Sequence, residues 1–251
     1  MRKSHQIIAC IFFIILPGFL AAQAKSDCKW KDEICSDYKN FYSLNNLGNF
    51  VLGIGYAGFY ANTTFDQQIQ DFYNDYIKSR TTDNASKVVK PFGDGRITIP
   101  VYLSAVLIGE LGKSSKICST VGEWGARCSR AIIVGAPPTL LLQVVLGSSR
   151  PEDGKGSHWH PFKDNNSVSG HSFMGSIPFL TAAKMTDKRL LKYSCYLGST
   201  LTGLSRINDN KHYFSQAFLG WWIGYLSVNS VNSKQVAIVP SSSSIGIIFY
   251  F

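Results

Sequence analysis

Leu204-Ser-Arg-Ile-Asn-Asp-Asn-Lys-His-Tyr-Phe-Ser-Gln216 brings together a fixed cation at Arg206, an imidazole at His212 and an amide at Gln216. Where such a stretch is helical, Gln216 lies on the same face as His212, one turn later, placed to hold its ring. A held imidazole beside a guanidinium is how a nucleophile is aimed at an anion. A polar helix start with a solvated His reads the same way, and one short motif does not separate the two.

Two other segments fit the first purpose. Gln143 leads through six residues to Arg150-Pro151, and Ser167-Val168-Ser169-Gly170-His171 follows. The three segments together supply two guanidiniums, two imidazoles and a Ser-Gly turn that opens a helix. Such a turn offers backbone N–H groups to an anion, and the helix dipole adds to the attraction. Two arginines clamp the oxygens of a tetrahedral oxyanion. One imidazole attacks phosphorus while the other donates a proton to the leaving oxygen.

The segments resemble the three motifs of the type-2 phosphatidic acid phosphatase family, which shares its fold with vanadium haloperoxidases and bacterial class A acid phosphatases. The family pattern is K-x6-R-P, then P-S-G-H, then S-R-x5-H-x3-D. Here the chain reads Q-x6-R-P from Gln143 to Pro151, V-S-G-H from Val168 to His171, and S-R-x5-H-x3-Q from Ser205 to Gln216. The resemblance covers roughly residues 97 to 228. It implies an all-α helical bundle of the acid phosphatase/haloperoxidase type. It also implies that His212 is a nucleophile forming a phosphohistidine, with Gln216 behind it and His171 as general acid. Arg150, Arg206, Ser169, the Gly170 amide and Gln143 stand at the phosphate-binding positions. Neither a metal nor a cofactor is implied.

Two departures matter. Gln143 replaces the family Lys, so one phosphate-binding cation is missing; Lys211, Lys163 and Lys155 are candidates to restore it. Gln216 replaces the family Asp and accepts a hydrogen bond through its carbonyl oxygen without bringing charge. Slower chemistry follows by analogy with charge removal in a catalytic triad. The expected function is an exported, metal-independent phosphomonoesterase acting on a lipid phosphate or small phosphate ester. The alternative is a weak or inactive relative that binds phosphate or a similar anion. A vanadate-dependent haloperoxidase is the third reading, which vanadate-dependent bromide oxidation would expose.

Around the motifs, residues 97–111, 170–184, 190–204 and 212–228 are apolar and read as helices. Residues 123–147 read likewise, interrupted by Pro137-Pro138. Residues 64–78 place Phe65, Ile69, Phe72 and Tyr76 at helical spacing, and 41–60 form a Gly-containing helix. Lys25–Asn40 reads as an extended polar segment, and 81–95 and 150–168 as loops rich in turn residues. Gly112-Lys113-Ser114 lacks the earlier Gly of a phosphate loop, and Gly112 reads as a helix cap. None of these apolar runs reaches the roughly 18 clean residues of a membrane span. Short apolar helices imply a bundle with a buried core. Residues 235–251 change period and read as a terminal β-hairpin with a Ser-rich turn.

Composition bounds the rest. With 251 residues, 45% hydrophobic and 16% charged, the chain suits one core and argues against disorder. Arg2 and Lys3, an apolar run from Ile7 to Leu20 and Ala22-Gln23-Ala24 read as a signal segment over residues 1–24. Residues 25–251 then form a single domain, exported to the periplasm or cell envelope, with secretion as second choice. The net charge of +9 falls to +7 once Arg2 and Lys3 leave, which favours phosphorylated molecules or anionic lipid. Scattered basic residues argue against nucleic acid, while peripheral membrane contact stays open. Cys28 with Cys35, and Cys118 with Cys128, are the short-loop disulfide pairs, leaving Cys195 odd. His158-Trp159-His160 reads either as a shared metal ligand or as a loop walling the pocket. Glu110 and Glu123 are structural.

Overall fold

The computed structural model describes residues 27–232 and the backbone of 236–241 and 244–249. Residues 27–232 are all-α. The helices are α1 (Asp27–Phe41), α2 (Leu44–Ala61), α3 (Phe65–Phe72, continued by a π turn, Tyr73–Ile77), α4 (Arg80–Val89), α5 (Gly95–Leu111), α6 (Lys116–Leu146), α7 (Gly170–Lys184), α8 (Arg189–Asn208) and α9 (Phe214–Val231). Short 3-10 turns occupy Lys90–Gly93 and Pro151–Asp153. Beyond α9, β1 (Val236–Ser241) and β2 (Ser244–Phe249) pair antiparallel, with Val236 opposite Phe249. The signal segment expected over 1–24 and the Cys28 side chain lie outside the described residues.

Helix α9 is the axis of the bundle and packs on α7, α6, α2, α8 and α1. It is buried almost all round, through Ala217, Leu219, Ile223, Leu226 and Val228, as a helix surrounded by others must be. Small residues let its neighbours approach. A Cβ at Gly220 would lie 2.3 Å from the Ser169 carbonyl oxygen, so only glycine lets α9 touch the turn that opens α7. Cys128, Ala131 and Val134 from α6, with Phe173, Ile177 and Leu180 from α7, complete the core.

Four expectations need correction. Lys25–Asn40 was expected to be extended, but Asp27–Phe41 is a helix. Its polar face is fixed by Arg130 of α6, which makes a two-pronged bond to Asp37 at 2.7 and 2.8 Å and reaches Glu33 at 2.9 Å. The loop expected over 81–95 contains α4, started by a reciprocal cap between Ser79 and Thr82. Helix α6 runs unbroken through Pro137-Pro138. Pro137 has no N–H for the Ile133 carbonyl, and the Tyr38 hydroxyl of α1 donates to that carbonyl instead, at 2.8 Å. With the prolines inside it, α6 is long and apolar enough to cross a membrane by length and composition, against the expectation that no run was.

The cysteine pairing also changes. Cys118 and Cys128 are both free and lie on α6, ten residues apart. At about 1.5 Å rise per residue they are roughly 15 Å apart, beyond the reach of a disulfide. Cys35 and Cys195 are free as well. Gly112 does cap α5, with its N–H on the Ile108 carbonyl at 2.9 Å.

Candidate active site

The three sequence segments meet at one end of α7, α8 and α9. Ser169 joins two of them through the backbone, its N–H donating to the Gln216 carbonyl at 2.9 Å. The Ser169 hydroxyl accepts from the Ser172 N–H at 3.3 Å and caps α7. Ser169 is fully buried in that duty. The first-turn amides of Gly170 and His171 therefore remain as the ones no helix carbonyl can satisfy.

His212 sits at the turn between α8 and α9. Asn210 adopts a left-handed conformation (φ 53°), and the Lys211 and His212 N–H groups fold back on the Arg206 carbonyl at 2.9 and 3.3 Å. The His212 ring, 6% exposed, is held by Gln216, whose Oε1 lies 2.9 Å from Nδ1. The same Oε1 accepts from the Tyr213 N–H at 3.2 Å.

The Gln216 amide can face only one way. Its Nε2 donates to the Ser149 carbonyl at 2.7 Å and to the Ser148 hydroxyl at 2.9 Å. Ser148 in turn gives its proton to the Ser157 carbonyl at 2.7 Å. A carbonyl only accepts, so nitrogen must face Ser149 and oxygen must face His212. The imidazole then carries its proton on Nδ1 and keeps a lone pair on Nε2, the tautomer a nucleophile requires. Burial pushes the His212 pKa down to about 3 against the opposing hydrogen bond to Gln216, with Arg206, Arg150 and His171 adding to the fall, so the ring is neutral at ordinary pH.

Arg206 is 6% exposed, and its Nε is buried with no partner. One terminal nitrogen reaches Asp209 at 3.5 Å. A buried donor left unsatisfied costs about 1–3 kcal/mol, and an oxyanion relieves that cost. His171 begins α7 beside the same guanidinium. Burial first, and then Arg206, lower its pKa to about 4, while Asp94 acts the other way. Arg150 reaches Asn166 at 2.9 Å and Glu152 at 3.3 Å.

Gln143, at the position of the family Lys, has a backbone partner. Its Nε2 donates to the Val168 carbonyl at 2.8 Å and steadies the turn before Ser169. The same Nε2 lies 3.6 Å from where a Cβ on Gly170 would stand. His158 and His160 are exposed, and Trp159 between them packs against Gly58 of α2. Among the described residues no group of three His, Cys, Asp or Glu converges as a metal site would.

The residues that sequence reasoning missed brace this end of the bundle. Asp66 of α3, fully buried, accepts from the Ser215 N–H at 2.9 Å and from its hydroxyl at 2.5 Å, capping α9 from another helix. Gln70 holds the Ile207 carbonyl at 3.1 Å and Asn210 at 2.8 Å. Ser86 donates to Asp209 at 2.7 Å. A pattern three residues long could not reveal partners more than 100 positions away.

A family model described as the PAP2 superfamily matches residues 134–237. The match takes in all three motif segments. No curated protein and no solved structure matches the chain significantly.

Proposed function

With the motif-bearing part of the chain belonging to the PAP2 superfamily, which supports phosphatase-type activity on phosphate esters, we propose that the protein is an exported phosphomonoesterase working through a phosphohistidine. The observation that carries this reading is the pairing of His212 and Arg206. A buried guanidinium with an unpartnered Nε stands beside a neutral imidazole whose Nδ1 is already occupied by Gln216.

In this reading the phosphate oxygens bind to Arg206, Arg150 and the Gly170 amide at the start of α7. His212 Nε2 attacks phosphorus as the P–O bond to the alcohol breaks. His171 gives that oxygen its proton. Water then attacks the phosphohistidine, and His171 takes a proton back. Gln216 keeps the ring oriented, but it lacks the charge that would stabilise the cationic intermediate, so turnover is slow.

A lipid phosphate is supported by an apolar groove of about 210 Å³ beside the site, lined by Gly203, Leu204, Ile207, Phe214, Phe218 and Trp221. It reaches Ser172, the neighbour of His171. The outer faces of α5 and α8 add exposed Leu107, Leu111, Leu190 and Leu197, suited to peripheral contact with a lipid surface. The second reading, a weak or inactive anion-binding relative, is favoured by Gln143 and Gln216 alone.

The test is phosphate release from an aryl phosphate and from phosphatidic acid, with EDTA present, in the mature protein and in His212→Ala. The expected result is release that survives EDTA, is blocked by vanadate and disappears in the variant. Phosphate binding without release from either substrate would transfer the assignment to the anion-binding reading.

A further inference from the structure

The site has one cation fewer than its family pattern, and Gln143 is engaged with the Val168 carbonyl. Three lysines were candidates to replace it. Lys155 and Lys163 are exposed and join none of the ion pairs around the motif residues. Lys211 is different. It directly precedes His212, and its N–H is fixed on the Arg206 carbonyl.

The Lys211 ammonium contacts Glu152 Oε2, while Arg150 reaches Oε1 of the same carboxylate at 3.3 Å. One carboxylate thus lies between two cations, each on its own oxygen. That is the arrangement of a phosphate oxyanion in a cation clamp. The backbone keeps the two loops together, since the Glu152 N–H donates to the Asn210 carbonyl at 3.3 Å. Lys211 first, and then Arg150, hold the Glu152 carboxyl below its ordinary range, so it stays ionised.

We infer that Lys211 is the third phosphate-binding cation, taking the place of the residue lost at Gln143. Glu152 is the internal anion that bridges Lys211 and Arg150 and is exchanged for substrate phosphate. A phosphate monoester dianion carries more charge than one carboxylate and three acceptor oxygens. It therefore competes for both cations while also reaching the unpartnered Nε of Arg206. The inference rests on the phosphate-ester reading above for its ligand, but it makes a separate claim about Lys211 and Glu152.

The experiment measures inorganic phosphate affinity by calorimetry, and aryl phosphate turnover, in the full mature chain. The variants are Lys211→Ala, Lys211→Arg, Glu152→Gln, and Gln143→Lys in the Lys211→Ala background. Loss of a charge-assisted bond to phosphate weakens binding about tenfold, so Lys211→Ala is expected to bind phosphate about tenfold more weakly. Lys211→Arg should stay close to the parent. Glu152→Gln should bind more tightly, because the competing carboxylate is gone. Gln143→Lys should recover part of the loss.

Unchanged phosphate affinity in Lys211→Ala, or weaker binding in Glu152→Gln, would overturn the inference, even if the parent turns substrate over normally. If the parent binds phosphate with the expected variant pattern but releases none from esters, the inference stands and the phosphatase reading falls. A parent that neither binds phosphate nor turns over ester overturns both.

Discussion

The two imidazoles of the site occupy opposite kinds of surroundings. His212 is sealed, and each group behind it has a partner: Gln216, then Ser148 and Ser149, then Ser157. His171 stands at the start of α7, half-buried, among charges of both signs from Arg206, Asp94, Lys90 and Arg96. The sealed side uses neutral hydrogen bonds to fix one tautomer. The other side surrounds its ring with charged groups, Arg206 foremost, that an incoming anion would also meet. Under the proposed mechanism, this is the division between a nucleophile that must not move and an acid whose pKa must change when substrate arrives.

The largest break in this comparison is Gln216→Leu. It removes the acceptor of both the His212 Nδ1–H and the Tyr213 N–H, and the ring loses its tautomer restraint. By analogy with tautomer loss in a triad, kcat is expected to fall by about 10²–10⁴-fold. A ¹⁵N spectrum of the imidazole should show mixed tautomers in place of one protonated at Nδ1. A single tautomer in the variant would mean that something other than Gln216 fixes the ring.

Asp66→Ala comes next. It strips the cap from α9, leaving the Ser215 N–H and hydroxyl buried without partners. Chemical denaturation should show a loss of about 2 kcal/mol. The fall in kcat should exceed that in Ser86→Ala, which touches Asp209 on the far side of the turn. Equal falls would separate the α9 cap from the placement of His212.

A milder change comes from Gln216→Glu. The new carboxylate oxygen would face the Ser149 carbonyl, acceptor against acceptor, so thermal stability should drop. Its charge beside Nδ1–H should also raise the His212 pKa above its present value of about 3. An NMR titration reads that shift directly. No movement of the pKa would contradict the contact between residue 216 and the ring.

The smallest effect sharpens the open side. A general acid must be protonated, and burial holds His171 at about 4 in the free protein. The profile of kcat/KM, which reports the free enzyme, should therefore fall as pH rises through the acid range. Arg96→Ala removes one of the cations that lower the His171 pKa, so the falling limb should move slightly upward. A profile flat to neutral pH would assign the proton to another donor.

Much of this arrangement was legible in the sequence, for local reasons. The limits of α7 at Gly170 and Lys184 followed from a Ser cap and an apolar run. Gln216 does hold the His212 ring, but not by the helical spacing expected: α9 starts at Phe214, and Gln216 reaches back across the helix cap to a ring in the preceding turn. What stayed hidden depends on distant partners. Helix α1 reads as polar and extended until Arg130 supplies a counter-charge for Asp37. Pro137 reads as a break until Tyr38 takes over the Ile133 carbonyl. The backbone partners of Ser169 and Gln143, the Ser172 N–H and the Val168 carbonyl, were not legible either. Lys211 was one of three equal candidates until Glu152 placed it beside Arg150.

The most direct test of the central claim is rapid quenching of the protein with a ³²P-labelled aryl phosphate, followed by peptide mapping of the label. The account predicts an acid-labile, base-stable phosphoryl group on the peptide containing His212, absent from His212→Ala and preserved in His171→Ala, where its formation is slowed. A parent that turns over substrate while its label maps to another residue, or while no phosphoenzyme forms, would contradict the assignment of His212 as nucleophile.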